Sequence, residues 1–275
     1  MSWLDLHRQA VERLGDVHAA RWFVEEASGA EWPAVLDEPV PARAGAAFGA
    51  LVSRRQSGEP VQYVLGHWAF RRLDLMVDPR VLIPRPETEV VVEVALAELA
   101  RQGGRAPVVV DLGTGSGAIA LSVLDEHAGA RVWASDVSRD ALAVASANLS
   151  GLGTTAAGRA RLVQGSWWEA LPAELAGRVD LAVANPPYVS EAEAAELPAE
   201  VSEWEPRQAL VPGPSGLEAL EAIVSGAAHW LGPGAVLVAE IAPHQAGAAL
   251  GLAGRAGLAE AAARTDLAGR DRALV

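Results

Sequence analysis

Pro107-Val108-Val109-Val110-Asp111-Leu112-Gly113-Thr114-Gly115-Ser116-Gly117-Ala118-Ile119-Ala120 decides the fold. Val108 to Leu112 is an apolar run of strand length, the three glycines at 113, 115 and 117 form a turn, and a helix opens at Ala118. Strand, glycine turn and helix make the first βα unit of an open α/β sheet, and residues without a Cβ let the backbone approach a ligand closely. Gly113, Gly115 and Ala118 also satisfy the dinucleotide pattern G-x-G-x-x-G/A, so a nicotinamide dehydrogenase is one candidate. Asp111, two residues before the first glycine, tilts against it: a carboxylate beside the turn repels a pyrophosphate and welcomes a cationic sulfonium or amino group.

S-adenosylmethionine carries both of those cations. The flanking units extend the same reading. Arg131 to Ser135 is a second strand ending at Asp136, placed to accept two ribose hydroxyls, and Ser138 caps a helix from Arg139 to Leu149. A third strand around Leu162 leads to Ser166-Trp167-Trp168, where an indole can lie on an adenine; two adjacent Trp cannot share one face, so Trp167 is expected at the cofactor and Trp168 in the core. Val179 to Ala184 is a fourth strand, and it ends at Asn185-Pro186-Pro187-Tyr188. The prolines stiffen that exit. The Asn185 side-chain oxygen and the Pro186 carbonyl offer two acceptors to one NH2 group, and the Tyr188 ring can hold a planar amide or base. Such a site suits a nitrogen whose lone pair is delocalised.

The chain has 275 residues, 51% of them hydrophobic, enough for one large domain or two unequal ones. Two are expected: a helical domain over 1–58, a β-hairpin linker over 59–85 and an α/β domain over 86–275. In the first, a helix spans roughly Ala42 to Gln56, and Val61 to Val81 reads as extended. The net charge of −13 argues against affinity based on neutralising many phosphates. There is no cysteine, which removes thiolate chemistry, and the six histidines are scattered without metal-ligand spacing, so no metal is expected. Neither a signal sequence nor a membrane span is legible, and the reading is a cytoplasmic protein without membrane contact.

Ile83-Pro84-Arg85-Pro86-Glu87-Thr88-Glu89, Asp111 to Gly117 and Asn185 to Tyr188, in this order, resemble the release-factor glutamine N5-methyltransferases. Pro60 to Gly66, Glu205-Pro206-Arg207, Glu240-Ile241 and Asp266 to Arg272 extend the resemblance over about residues 58–275. It implies a class I (Rossmann-like) methyltransferase domain, its seven strands ordered 3-2-1-4-5-7-6 with the seventh antiparallel. It also implies S-adenosyl-L-methionine as donor, and as target the glutamine amide of the Gly-Gly-Gln tripeptide in class I peptide-chain release factors. Gly113, Thr114, Gly115, Ser116, Gly117, Asp136, Trp167 and Asn185 then map to the cofactor. Asn185, Pro186, Pro187 and Tyr188 map to the substrate, with Asn185, Pro186 and Tyr188 catalytic. Two departures stand out: Ser166 where many relatives have an acid, and Glu240-Ile241-Ala242-Pro243-His244-Gln245 where Glu-Ile-Gly is more usual. The rival is an adenine-N6 methyltransferase using the same four residues on a flipped base. The acidic charge and the lack of a basic, aromatic-interleaved module speak for a protein substrate without direct nucleic-acid contact.

Overall fold

A computed structural model describes residues 1–275 and divides into two compact units, one of residues 1–67 with 198–204, the other of 68–197 with 205–275. The first unit is helical. Helix α1 (Trp3–Leu14) starts at a capping box in which Ser2 and Asp5 satisfy each other's backbone N–H, and Gly15 ends it in the left-handed conformation. Asp16 caps α2 (Val17–Ser28); a single turn α3 (Trp32–Val35) leads to α4 (Ala42–Gln56). Trp3, Ala10, Phe23, Val24 and Val52 close the core between them, each with at most 2% of its surface exposed. Such burial contributes about 1.5–3 kcal/mol for each large apolar side chain.

The expectation of an extended segment from Val61 fails at its start. Val61–Leu65 is a short helix, α5, with Pro60 before it and left-handed Gly66 after it, so the helical unit runs past residue 58. The hairpin itself is confined to β1 (His67–Phe70) and β2 (Leu73–Met76). Its turn holds Arg71 at φ 52°, an uncommon angle for a residue with a side chain. Bonds to two helices of the second unit fix it there: the Arg71 N–H donates to Glu89 (2.8 Å), and its guanidinium forks onto Glu126 at 2.6 and 2.9 Å.

The second unit is a seven-stranded sheet. Its elements are α6 (Thr88–Gln102), β3 (Val108–Leu112), α7 (Ala118–Glu126), β4 (Arg131–Asp136), α8 (Arg139–Gly151), α9 (Thr154–Ala157), β5 (Ala160–Gln164) and β6 (Val179–Ala184). After β6, the short helix α10 (Glu191–Ala194) lies in the second unit and α11 (Ala199–Ser202) in the first, and the sheet resumes with α12 (Glu218–Trp230), β7 (Leu231–Glu240), α13 (Ala246–Arg255), β8 (Ala263–Thr265) and β9 (Asp271–Leu274). The strand order is β5-β4-β3-β6-β7-β9-β8, with β9 antiparallel to both neighbours, which is the order the resemblance implied. Strand periodicity splits the core: Val109, Leu181 and Val183 face α6 and α7, whereas Val110, Leu112, Ala182 and Ala184 face α12 and α13. Because β3 is followed by β4 on one side and paired with β6 on the other, chain direction across the sheet reverses between β3 and β6. The carboxyl ends of these two strands open a crevice there.

Candidate active site

Register brings the motifs together. Leu112 pairs with Ser135 and with Ala184, and Ala184 pairs with Ala239, so Gly113, Asp136, Asn185 and Glu240 leave four neighbouring strands side by side. A single cleft is lined by Gly113, Thr114, Gly115, Ser116, Asp136, Trp167, Asn185 and Pro187, together with Thr88, Val137 and Ser138.

The glycine turn is held open from below. Gly113, Gly115 and Gly117 have φ of 80°, 56° and 87°, a left-handed run that L side chains rarely adopt. A Cβ on Gly115 would meet no protein atom within 4 Å, leaving that backbone bare, whereas one on Gly117 would press on Leu121 at 3.0 Å. Gly117 therefore serves helix packing and stands off the cleft. The Gly113 and Thr114 N–H groups bond the Ser135 carbonyl, and Asn148 of α8 donates to the Ser116 carbonyl while exchanging bonds with Met76 of the hairpin. Asp111 is also beneath the turn and not at its mouth. It accepts from the Thr114 hydroxyl (2.7 Å) and the Ala120 N–H (3.1 Å), and burial pushes it up to about 7. Its expected direct contact with a ligand cation is replaced by support of the loop.

Asp136 accepts the Gly115 and Ser138 N–H groups at 2.9 Å each, which ties the glycine turn to the end of β4. Burial raises its pKa, and these backbone donors oppose the rise. Each oxygen keeps a lone pair for a further donor. Val137, 59% exposed on the cleft wall, is a residue not expected from the sequence; an apolar residue directly after a strand-ending acid was the available signal. Trp167 lies on the cleft at φ 44°, over Gly113, where a Cβ would come within 3.1 Å of the indole. Trp168 turns into the core, donating to the Ile223 carbonyl at 2.8 Å and stacking on Trp230.

Asn185 Nδ2 donates to the Thr88 hydroxyl at 3.2 Å, and Oδ1 makes no bond within the protein. Thr88 is the first residue of α6, and its buried hydroxyl backs the Asn185 amide. The side chains of Pro186 and Tyr188 are set back from the cleft wall: Pro186 is buried, and Tyr188 is half-buried with its hydroxyl raised to about 12 by burial and by the field of Glu240. Gln245, from the stretch that departs from the usual pattern, donates to the Tyr188 and Gly216 carbonyls at 3.0 and 3.2 Å and anchors the loop exit. Across the cleft mouth, Glu205 accepts from the Ile83 N–H (3.2 Å) and pairs with Arg85, bracing the Ile83–Glu89 stretch against Glu205-Pro206. Sequence separation hides that pair, although both partners lie in motifs.

The residues fit S-adenosylmethionine: a bare backbone cradle at Gly115, a carboxylate with spare acceptors at Asp136, and an indole face at Trp167.

The family described as "Methyltransferase small domain" matches residues 89–202, and the "PrmC N-terminal domain" matches residues 5–66. The release factor glutamine methyltransferase of Bordetella pertussis (strain Tohama I) is 46% identical over 235 residues, covering 86% of this chain and 84% of the relative. That of Moorella thermoacetica is 44% identical, covering 86% and 81%. Among solved structures, the hMettl16 catalytic domain in complex with the MAT2A 3'UTR hairpin 6 superposes with a TM-score of 0.58 at 14% identity, over 84% of this chain and 80% of that one, a likeness of fold. Motifs, sheet order and these relatives agree, and the chain belongs to the release factor glutamine methyltransferases.

Proposed function

We propose that this enzyme methylates the side-chain amide nitrogen of the glutamine in the Gly-Gly-Gln tripeptide of class I release factors, with S-adenosylmethionine as donor. When bound, the donor supplies an electrophilic methyl group; the rest of the work falls to this chain. Asn185 Oδ1 and the Pro186 carbonyl each accept one N–H of the substrate amide. Two accepted bonds return electron density to a nitrogen whose lone pair is delocalised, and they aim it along the cleft. Pro187 bounds the amide, and Tyr188 stiffens the strand exit from behind. The N-methylated amide is a strong acid on formation, so its extra proton leaves to water and no strong base is needed. Orientation then carries most of the rate gain, about 7–11 kcal/mol at best.

The observation that carries this reading is the unpaired Asn185 Oδ1 on the same cleft as the glycine turn and Asp136. Gly113 to Ser116, Asp136 and Trp167 are assigned to the cofactor, with Gly117 supporting them. The same reading places the enzyme in the cytoplasm, with release factors as protein partners and no direct contact with nucleic acid. No helix is long and apolar enough to cross a membrane.

Mass spectrometry of a class I release factor after incubation with enzyme and donor tests the reaction. The expected product is heavier by one CH2 on the tripeptide glutamine alone, with no gain when that glutamine is replaced. Label in DNA or RNA adenine without gain on protein overturns the reading. Asn185→Ala is expected to abolish turnover while donor affinity stays within a few-fold; a large loss of affinity would make Asn185 a cofactor residue instead.

A further inference from the structure

We propose that Thr88 and Glu240 form an orienting relay behind Asn185, in which buried Glu240 is a positioning residue that decides which end of the Asn185 amide faces the substrate. This rests on the methyl-transfer reading above. A side-chain amide has two ends of nearly the same shape, one a donor and one an acceptor. With its NH2 toward the cleft, Asn185 would oppose donor to donor against the glutamine amide; catalysis needs Oδ1 there. The orientation must be set from behind, and the group behind is the Thr88 hydroxyl.

A hydroxyl alone cannot set it. It accepts from Nδ2 in one rotamer and can donate to Oδ1 in the other. A group that claims the hydroxyl proton removes the choice, and Glu240 is placed to be that group. It is 0% exposed and ends β7, one residue beyond the Ala184–Ala239 pair that sets it beside Asn185. Strand register puts Glu240 beside Asn185, which bonds the Thr88 hydroxyl; neither Glu240 oxygen has a hydrogen-bond partner, so both can accept, and the Thr88 hydroxyl lowers a carboxyl pKa that burial raises. An ionised carboxylate only accepts. Thr88 then donates to Glu240, accepts from Asn185 Nδ2, and leaves Oδ1 toward the cleft. The charged groups around Glu240 are Arg272 of β9, Arg85 and Glu87 before α6, and Tyr188 after β6. The two arginines favour ionisation, and Glu87 opposes it. Glu240 is not among the residues that line the cleft, and a buried carboxylate without a partner is costly to keep.

The test uses the full-length enzyme with Thr88→Val, Thr88→Ser and Glu240→Gln. Glutamine keeps the shape of Glu240 but can donate as well as accept, so directionality is lost without a cavity. Expected are falls in kcat of about ten- to a hundredfold for Thr88→Val and Glu240→Gln, with donor Kd within about twofold and Thr88→Ser within about threefold of the parent. The wild-type kcat is expected to rise with pH as Glu240 ionises, and the Glu240→Gln profile to lose that limb. Equal losses in Thr88→Ser and Thr88→Val, or a wild-type kcat in Glu240→Gln, overturn the relay. The 15N spectrum of the Asn185 side-chain amide gives an arm independent of turnover. Its NH2 signals should shift in Thr88→Val and Glu240→Gln without substrate, and unchanged signals in both overturn the relay even if no release factor is methylated.

Discussion

Asp111 and Glu240 are carboxyls buried with unpaired oxygens, and burial raises both to about 7. Unfolded, each would release its proton near the ordinary carboxylate range. Between about pH 4 and pH 7 the folded state therefore binds more protons than the unfolded one, so this contribution to stability is full at low pH and lost as pH rises. Glu240→Gln, which cannot ionise, is expected to stabilise the fold more at high pH, the gain growing by about 2 kcal/mol between pH 5 and pH 8. Thermal unfolding of the two proteins at both pH values checks this, and a gain independent of pH would place the Glu240 pKa in the ordinary range. The same substitution is expected to slow turnover, so Glu240 sets stability against activity. Nothing in the sequence marks it for this: Glu240 reads there only as part of a family match, and its unpaired state becomes visible once β7 is laid beside β6.

At the scale of elements, apolar period and glycine stops carry a long way. The bounds of α4, α6 and β6 follow from them, since Gly103 and the run Val179–Ala184 mark where periodicity ends. Helix α5 escapes because five residues are too few for a 3.6-residue period to show, and alternation in Val61–Leu65 imitates a strand. Ile83–Glu89 is legible as a motif, but its mechanical role is not, because its partner Glu205 lies 120 residues away from Arg85. That brace makes its own prediction. The Glu205 side chain is 1% exposed, so Glu205→Ala leaves the Arg85 guanidinium and the Ile83 N–H without their acceptor. The expected cost is about 3–5 kcal/mol. Arg85→Ala combined with Glu205→Ala should cost clearly less than the two single changes added together, because the double variant strands no partner charge. Urea unfolding of the four proteins measures the cycle, and simple additivity would show that the pair does not brace the cleft mouth.

At the scale of the molecule, the two units are not consecutive in the chain. The first unit takes residues 198–204, a segment that follows Asn185-Pro186-Pro187-Tyr188 and precedes Glu205. Chain that leaves the cleft at Tyr188 passes through the helical unit before it returns to the brace. No feature of composition in Pro198 to Trp204 announces this membership, since α11 is a four-residue helix and its attachment depends on pairing such as Arg55 with Glu200 at 2.8 Å. The division has a dynamic consequence, because compact units open as cooperative blocks. Phe23→Ala cuts into the core of the first unit at a fully buried ring and should lower its stability by about 3–5 kcal/mol. The amides of Val201, Ser202 and Glu203, which bond to the Pro198 and Ala199 carbonyls, should then exchange faster together with α1, α2 and α4. Strands β3, β4 and β6, buried on both faces in the other unit, should keep the parent rates. Hydrogen exchange read by mass spectrometry separates these peptides. If 198–204 keeps its protection while the first unit loosens, the segment takes its order from the sheet, and the unit boundary runs at 67 alone.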